Sequence, residues 1–409
     1  MKVGKPVNYC EDIIKYINKI KEKLYNNMYC SAQELEKDFY TINELTGTKT
    51  NTTEYEYLKS VFTVQEFLIN EVCKIHENEN DLVNAKLFSE NLNIKELKEQ
   101  LKDGKMAFNI YSFNDSGYDY FLIGDIHSDS VSLKRILHIC NFFSNVVEKK
   151  KKRLIFLGDY VDRGKAHIKT LEYLLALKFL FPNYIYLLKG NHDAGIIAEE
   201  KVKLSVKKPE NESDEDYFLL YLNNLLSSDN TLRLRILNSY LNFFNSLCNI
   251  AFITNQSVTL LAVHGGIPRP RKNDSKYYSY INSISDLTNI KIIDNMNKTI
   301  CNNMLWSDPC ESEDNLRENS GRFRFTVGHF EEFQKHINFD LLIRGHVAEK
   351  NGFKGFFNDR LFTIFSSGAI LENDININNE TAYEDINPRI LEFSSTGQVS
   401  LLNLNSSFI

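Results

Sequence analysis

No pair of cysteines in this chain has Cys-x-x-Cys spacing. The seven that occur, Cys10, Cys30, Cys73, Cys140, Cys248, Cys301 and Cys310, are odd in number and scattered. That excludes a zinc knuckle and argues against a disulfide frame, so the thiols read as reduced and intracellular. No stretch approaches the ~20 apolar residues that cross a bilayer. The start, Met1-Lys2-Val3-Gly4-Lys5-Pro6, lacks the apolar run of a signal peptide. A positive balance is also lacking: the net charge is −6 and the pI about 5.9. A broad nucleic-acid-binding face is therefore not expected. The five basic residues from Lys149 to Arg153 read as a solvated turn. The acidic stretch from Lys208 to Asp216 lacks the glycine and the spacing of an EF-hand, and reads as an exposed loop.

What is present is enough for a large folded unit: 409 residues, 43% apolar and 25% charged. Residues 1–105 hold few glycines. Ile13, Ile17, Ile20 and Leu24 fall at helical spacing, as do Leu58, Val61, Phe62, Leu68, Val72 and Ile75, and then Ile94, Leu97 and Leu101. The expectation is an N-terminal all-helical region of three or four helices over 1–105, for packing or for a protein partner, followed by a catalytic unit over 106–409.

After Met106 the pattern changes. Tyr118–Ile123 reads as a strand that ends in Gly124-Asp125-Ile126-His127, with a helix from Ser130 to Phe143. Leu154–Leu157 is a short buried strand running into Gly158-Asp159-Tyr160-Val161-Asp162-Arg163-Gly164. Tyr184–Leu188 ends in Gly190-Asn191-His192-Asp193. Strand, polar turn and helix recur three times, which is the βαβ signature and sets the three turns on one edge of a sheet. Residues 193–258 read as helical around the acidic loop. Strands resume at Val258–Val263, ending in His264-Gly265-Gly266, and at Leu341–Ile343, ending in Arg344-Gly345-His346. The tail from Leu361 to about Leu404 reads as strands closing a second sheet.

Carboxylates, an amide and imidazoles gathered in five turns suit manganese, iron or zinc. Two ions about 3.5–4 Å apart would polarise a phosphoryl group and generate hydroxide at neutral pH. One Asp must be shared between them, and Asp125 and His127 can share one ion. Arg163 is a planar donor suited to phosphate. His76, His138, His167, His329 and His336 lie outside the turns and read as ordinary residues.

Taken in order, the blocks at 124–127, 158–164, 190–193, 264–266 and 344–346 resemble the phosphoprotein phosphatases among calcineurin-like metallophosphoesterases. The gaps agree, with 34 residues from Asp125 to Asp159 and 32 from Asp159 to Asn191. Leu305-Trp306-Ser307-Asp308-Pro309 resembles the protein Ser/Thr phosphatases more than their relatives. The resemblance implies an α/β fold, a two-sheet β-sandwich flanked by helices. It implies that Asp125, His127 and Asp159 hold one metal, and that Asp159, Asn191, His264 and His346 hold the other. It makes His192 the acid, oriented by Asp162, and Arg163 the phosphate clamp, with a hydroxide between the metals attacking phosphorus. Arg322 is the candidate second arginine, with Arg324 in reserve.

Three departures stand out. Asp193 occupies a position where eukaryotic members usually have Glu. Ala348 breaks the Gly-His-x-His of nucleases and cyclic-nucleotide phosphodiesterases. Phe365-Ser366-Ser367-Gly368 replaces a Ser-Ala-Pro-Asn-Tyr-Cys loop, so the loop tyrosine near the metals is expected to be absent. The chain is similar to divergent or bacterial-type members.

The expectation is a cytoplasmic metal-dependent protein phosphatase acting on phosphoserine, phosphothreonine or phosphotyrosine of a phosphoprotein, with two divalent ions, manganese first and iron, zinc or magnesium as alternatives. A bacterial effector delivered into another cell would share these features. The competing readings are a dinucleoside polyphosphate hydrolase and a catalytically silent scaffold.

Overall fold

The computed structural model describes residues 9–47, 53–79, 103–107, 109–114, 117–269, 284, 287, 295–318, 320, 322–369 and 381–406. The expected helical run at Ile94, Leu97 and Leu101 lies outside the described residues.

Two sheets face each other. The first has five strands: β3 (Asp119–Ile123), β4 (Lys152–Phe156) and β5 (Ile185–Leu187) are parallel, and β15 (Arg389–Phe393) and β16 (Val399–Asn403) extend the sheet antiparallel in the order β16-β15-β3-β4-β5. The second has seven strands in the order β1-β2-β8-β9-β12-β14-β13. These are β1 (Lys105–Ala107), β2 (Ile110–Phe113), β8 (Ile250–Asn255), β9 (Val258–Val263), β12 (Leu341–Arg344), β13 (Phe353–Phe356) and β14 (Leu361–Ile364); the short strands β10 (Asp308–Pro309) and β11 (Arg324–Phe325) pair separately.

Period-two alternation explains why the strands are apolar on both faces. Tyr120, Leu122, Ile155 and Leu157 point into the space between the sheets, where they meet Ala251, Ile253, Leu260, Ala262 and Ile343. Their neighbours Phe121, Ile123, Leu154 and Phe156 point outward onto helices. Leu261 and Val263 do the same on the far side, against Ile300, Met304, Phe330 and Phe333. Both sheets are thus covered on both faces, as parallel strands require. Single bridges between Asp125 and Phe365 and between Leu188 and Cys248 join the two sheets just past the carboxyl ends of β3 and β5.

The inner helical layer comprises α4 (Ser130–Ile139), α5 (Phe142–Val147), α6 (His167–Leu180), α7 (Phe218–Leu225) and α8 (Asn230–Ser246). Helices α9 (Asn295–Trp306) and α10 (Val327–Ile337) cover the second sheet. The N-terminal helices α1 (Tyr9–Tyr25), α2 (Ala32–Gly47) and α3 (Glu54–Glu79) form as their spacing predicts. Their apolar stripes, including Ile17, Leu35, Phe39, Phe62 and Leu68, join one cluster with Leu171, Leu174 and Phe179 of α6. They form an outer layer over the catalytic helices and share their core.

That seam is also pinned by buried polar groups. Glu172 of α6 accepts from Asn43 Nδ2 at 2.8 Å and from Thr46 Oγ1 at 3.0 Å. Lys178 Nζ donates to Glu79 Oε1 at 2.7 Å, and Tyr111 donates to Glu79 Oε2 at 2.7 Å.

The structure corrects three expectations. The helix expected over Ser130–Phe143 breaks at Cys140, because Asn141 turns left-handed with φ 49° and restarts the chain as α5. The stretch after Asp193 opens with a hairpin, β6 (Gly195–Ala198) and β7 (Lys201–Leu204), and ends in β8. Strand β2 precedes the first expected strand and pairs in parallel with β8.

Candidate active site

All five turns gather at one place. Asp125 and His127 follow β3, Asp159 to Arg163 follow β4, and Asn191 and His192 follow β5. His264 and His346 follow β9 and β12 of the other sheet. The site therefore straddles the seam between the sheets.

The backbone pays a conformational cost there. His127, Asp159, Asp162, Arg163 and His346 all have positive φ, from 46° to 75°. Non-glycine residues held so cost about 1–3 kcal/mol each and cluster at functional sites. Gly158 has φ +106°, and a Cβ on it would strike the Gly190 backbone. These glycines let two ligand-bearing turns stack in contact.

Other bonds hold the strained turns. Ile126 N and His127 N both donate to Asp159 O, at 3.1 and 2.9 Å. The buried Asp193 carboxylate accepts from Asp159 N at 2.7 Å, Gly190 N at 2.8 Å and Tyr160 N at 2.9 Å. The shorter acid at this position thus braces two turns. Burial, with Asp159 close by, pushes its carboxyl up to about 7.

At the centre, acceptors face acceptors. His127 Nδ1 lies 2.9 Å from Val161 O and His264 Nδ1 lies 3.0 Å from Leu157 O. Each must donate there, so in the neutral imidazole Nε2 keeps a bare lone pair. His127 Nε2 then faces Asp125 Oδ2 and Asp159 Oδ2, both at 3.7 Å. His264 Nε2 faces Asp159 Oδ2 at 3.3 Å, Asn191 Oδ1 at 2.7 Å and His346 Nδ1 at 3.2 Å. Asn191 Oδ1 is also 2.7 Å from His346 Nδ1. The Nε2 atom of His346 is buried without a hydrogen-bond partner, with Asp308 Oδ1 4.0 Å away. Two groups of lone pairs that share Asp159 Oδ2 are a donor set for two cations. Oxygen with imidazole fits manganese, iron or zinc, and the backbone carbonyls fix the ring tautomers as a second layer does around a metal.

Charge follows the same division. Burial raises Asp159, but His264, His192 and His127 outweigh it and hold its carboxyl well below the usual range. Burial pushes Asp125 up to about 6.

His192 Nδ1 is 2.7 Å from Asp162 Oδ2, and His192 N donates to Asp159 Oδ1 at 2.8 Å. Asp162 Oδ1 accepts from Phe218 N at 2.8 Å, which fixes the carboxylate. Burial lowers the imidazole, yet Asp159 and Asp162 outweigh it and hold it at about 9. Two dications alongside would draw that value toward neutrality, where a general acid works best.

A cleft of about 1670 Å³ opens over the centre, lined by His127, Asp159, Arg163, Asn191, His192 and His346 and walled by Trp306 and Arg322. It exceeds the volume that a single phosphoryl group needs. Arg163 and Arg322 both reach it; Arg324 does not line it. Arg322 Nε lies 3.2 Å from Asp308, which also binds Arg344 at 2.8 Å.

Sequence reasoning missed three residues. The acidic loop is not simply solvated. Its Glu212 binds Arg163 Nη1 at 2.6 Å and accepts from Tyr217, while Arg163 N donates to Asp216 O at 2.7 Å. His167, read as ordinary, accepts from Ser128 Oγ at 2.6 Å and donates to Glu215 O at 2.9 Å, pinning that loop to the catalytic turn. The acidic composition was the visible signal for Glu212.

The third is a tyrosine near the centre that does not come from the Phe365–Gly368 loop, which has none. The Tyr383 ring lies 5.6 Å from His127 at 30° and 4.7 Å from Phe365. Burial, then the charge of Asp125, raises its phenol, so it stands at the cleft as a donor. It enters from a later segment, beside the Ser366-Ser367-Gly368 loop that Asp129 anchors through Ser367 Oγ at 3.0 Å and Gly368 N at 2.9 Å. No spacing rule pointed to it.

The profile of the calcineurin-like phosphoesterase family matches residues 120–350. The chain belongs to that family. Serine/threonine-protein phosphatase BSL2 of Arabidopsis thaliana is 28% identical over 254 residues, covering 60% of this chain and 22% of that protein. The match thus spans about a fifth of that relative's length. Among solved structures, a protein serine/threonine phosphatase from Saccharomyces cerevisiae with similarity to human phosphatase PP5 aligns over 85% of this chain and 91% of its own, with TM-score 0.55 and 17% identity. That likeness bears on the fold and agrees with the expected two-sheet architecture. No helix among the described residues is long and apolar enough to cross a membrane.

Proposed function

We propose that this phosphoesterase is a metal-dependent protein phosphatase that hydrolyses phosphoserine or phosphothreonine monoesters, with phosphotyrosine as the competing substrate. The observation that carries the reading is the pair of lone-pair clusters sharing Asp159 Oδ2, with His192 and Arg163 beside them. The Arabidopsis relative's name supports the Ser/Thr choice.

Asp125, His127 and Asp159 would hold one divalent ion, and Asp159, Asn191, His264 and His346 the other, with manganese the expected metal. Such ions polarise phosphoryl oxygens and turn water into a nucleophile at neutral pH. The chain's own groups do the rest. Arg163, with one guanidinium nitrogen on Glu212, presents its remaining donors to the phosphoryl oxygens. Arg322 adds a second cation on the cleft wall. His192, held by Asp162 through Nδ1, offers its Nε2 proton to the departing oxygen.

We read residues 106–409 as the catalytic unit and 1–105 as a helical layer. A protein partner of that layer would meet its polar outer face, since the apolar stripes are used inside. Seven cysteines, none of them in a disulfide, favour a reducing compartment such as the cytoplasm.

The test is a panel of phosphoserine, phosphothreonine and phosphotyrosine peptides, with diadenosine tetraphosphate beside them, each assayed with Mn²⁺ and with chelator. Release of phosphate from peptides only with metal supports the reading. Full activity under chelation, or cleavage of the dinucleotide alone, overturns it.

A further inference from the structure

The cleft carries charge that the reaction centre does not use. Although the chain is net −6, cations outnumber carboxylates among the side chains that line the cleft. The carboxylates are accounted for: Asp159 belongs to the centre, and Glu318 is held by Arg269 at 2.8 Å. Two of the cations are answered in turn, Arg163 by Glu212 and Arg322 by Asp308.

Lys189 and Lys207 are different. Both line the cleft, and among the described residues neither has a carboxylate within ion-pair distance. Half-buried Lys189 has an amide partner instead, Asn245 Oδ1 at 3.3 Å. It immediately precedes Gly190-Asn191-His192, so its backbone lies within about 7 Å of a ligand-bearing residue. Lys207 follows the β6–β7 hairpin, whose exit Ser205 Oγ ties to Asn191 O at 2.7 Å. The amides of Asn249 and Asn302 share this part of the wall. Asp193 acts on Lys189 without touching it, so these ammonium groups and amides, with no carboxylate in ion-pair contact, form a donor set for an anion.

We propose that Lys189 and Lys207 make a second anion subsite beside the reaction centre, which takes a carboxylate or a second phosphate borne by the substrate close to the scissile phosphoryl group. The inference rests on the protein-phosphatase reading. It makes the enzyme selective for phosphorylated residues in acidic or multiply phosphorylated stretches.

The test uses the full chain with Mn²⁺ and phosphothreonine peptides. One has alanine at the three positions on each side, others have a single Glu at each of those positions, and one has phosphoserine at the best of them. Each ratio of kcat/KM to the alanine peptide is measured for the unmutated protein, Lys207→Gln and Lys189→Gln. The expected result is a gain of about fivefold for Glu at one or two positions, larger for phosphoserine, that falls toward one in each variant and in high salt. A gain for phosphoserine without one for Glu assigns the subsite to phosphate; equal gains assign it to either anion. Equal turnover of all peptides, or a gain that survives both substitutions, overturns the inference alone. Turnover of no peptide overturns the phosphatase reading and the inference with it.

Discussion

Two buried polar clusters in this molecule are built on opposite rules. In the seam between α6 and the N-terminal helices, two buried carboxylates are each met by two donors: Asn43 and Thr46 with Glu172, Lys178 and Tyr111 with Glu79. At the active site, imidazole lone pairs meet carboxylate and amide oxygens, and one ring nitrogen has no hydrogen-bond partner. The charges of the first cluster are answered from within the fold, although His76 Nε2 and Thr170 Oγ1 nearby are buried without a hydrogen-bond partner. The second needs something positive from outside, and it sits on left-handed backbone that the first does not require. A self-satisfied polar core serves structure, whereas one left incomplete marks where ligand binding and chemistry occur.

The largest break should come at the shared ligand. Asp159→Asn is expected to cut turnover of p-nitrophenyl phosphate at least about a thousandfold, since one oxygen serves both lone-pair groups. His192→Asn should lose about a hundredfold to ten-thousandfold, most strongly with poor leaving groups, the signature of a lost proton donor.

The seam should answer in stability instead. Glu79→Ala leaves the buried Lys178 ammonium without a countercharge, with only the Ile185 and Pro182 carbonyls to accept from it, at a cost of about 3–5 kcal/mol, read by denaturant unfolding. Glu172 sharpens the contrast through pH. Burial pushes it up to about 7, against 4.5 in the unfolded chain. Between those values folding takes up a proton, so its stabilisation is complete below about 4.5 and is lost as pH rises through 7. Glu172→Gln keeps the accepting oxygen and removes that loss. It should gain about 3 kcal/mol at pH 8.5 and little at pH 4.5, seen as a flatter plot of thermal midpoint against pH. The smallest effect is at the border between the two kinds of cluster: Glu212→Gln loosens Arg163 and should raise KM about fivefold, with little change in kcat.

The lone-pair half of the site was legible in the sequence because each proposed ligand sits just past a short apolar strand, next to a glycine that close packing demands. Asp125, Asp159, Asn191, His264 and His346 all obey that rule. Glu212, His167 and Tyr383 do not. They reach the centre from a loop, a helix start and a late segment, and their placement depends on tertiary bonds such as Ser128 to His167 and Asp129 to Gly368. The N-terminal helices were legible as helices from their periodicity. Their merger into the catalytic core was not, because an amphipathic stripe does not say what covers it. Strand β2 and the β6–β7 hairpin escaped because such short elements carry too few residues for a period to show.

The most direct measurement is the stoichiometry of Mn²⁺ bound by the chelated, refilled protein, taken by equilibrium dialysis for the unmutated chain and for Asp159→Asn. Two ions per chain, falling to one or none in the variant, is the expected result. One ion or none in the well-folded unmutated chain, or two retained in the variant, contradicts a centre built around a shared Asp159.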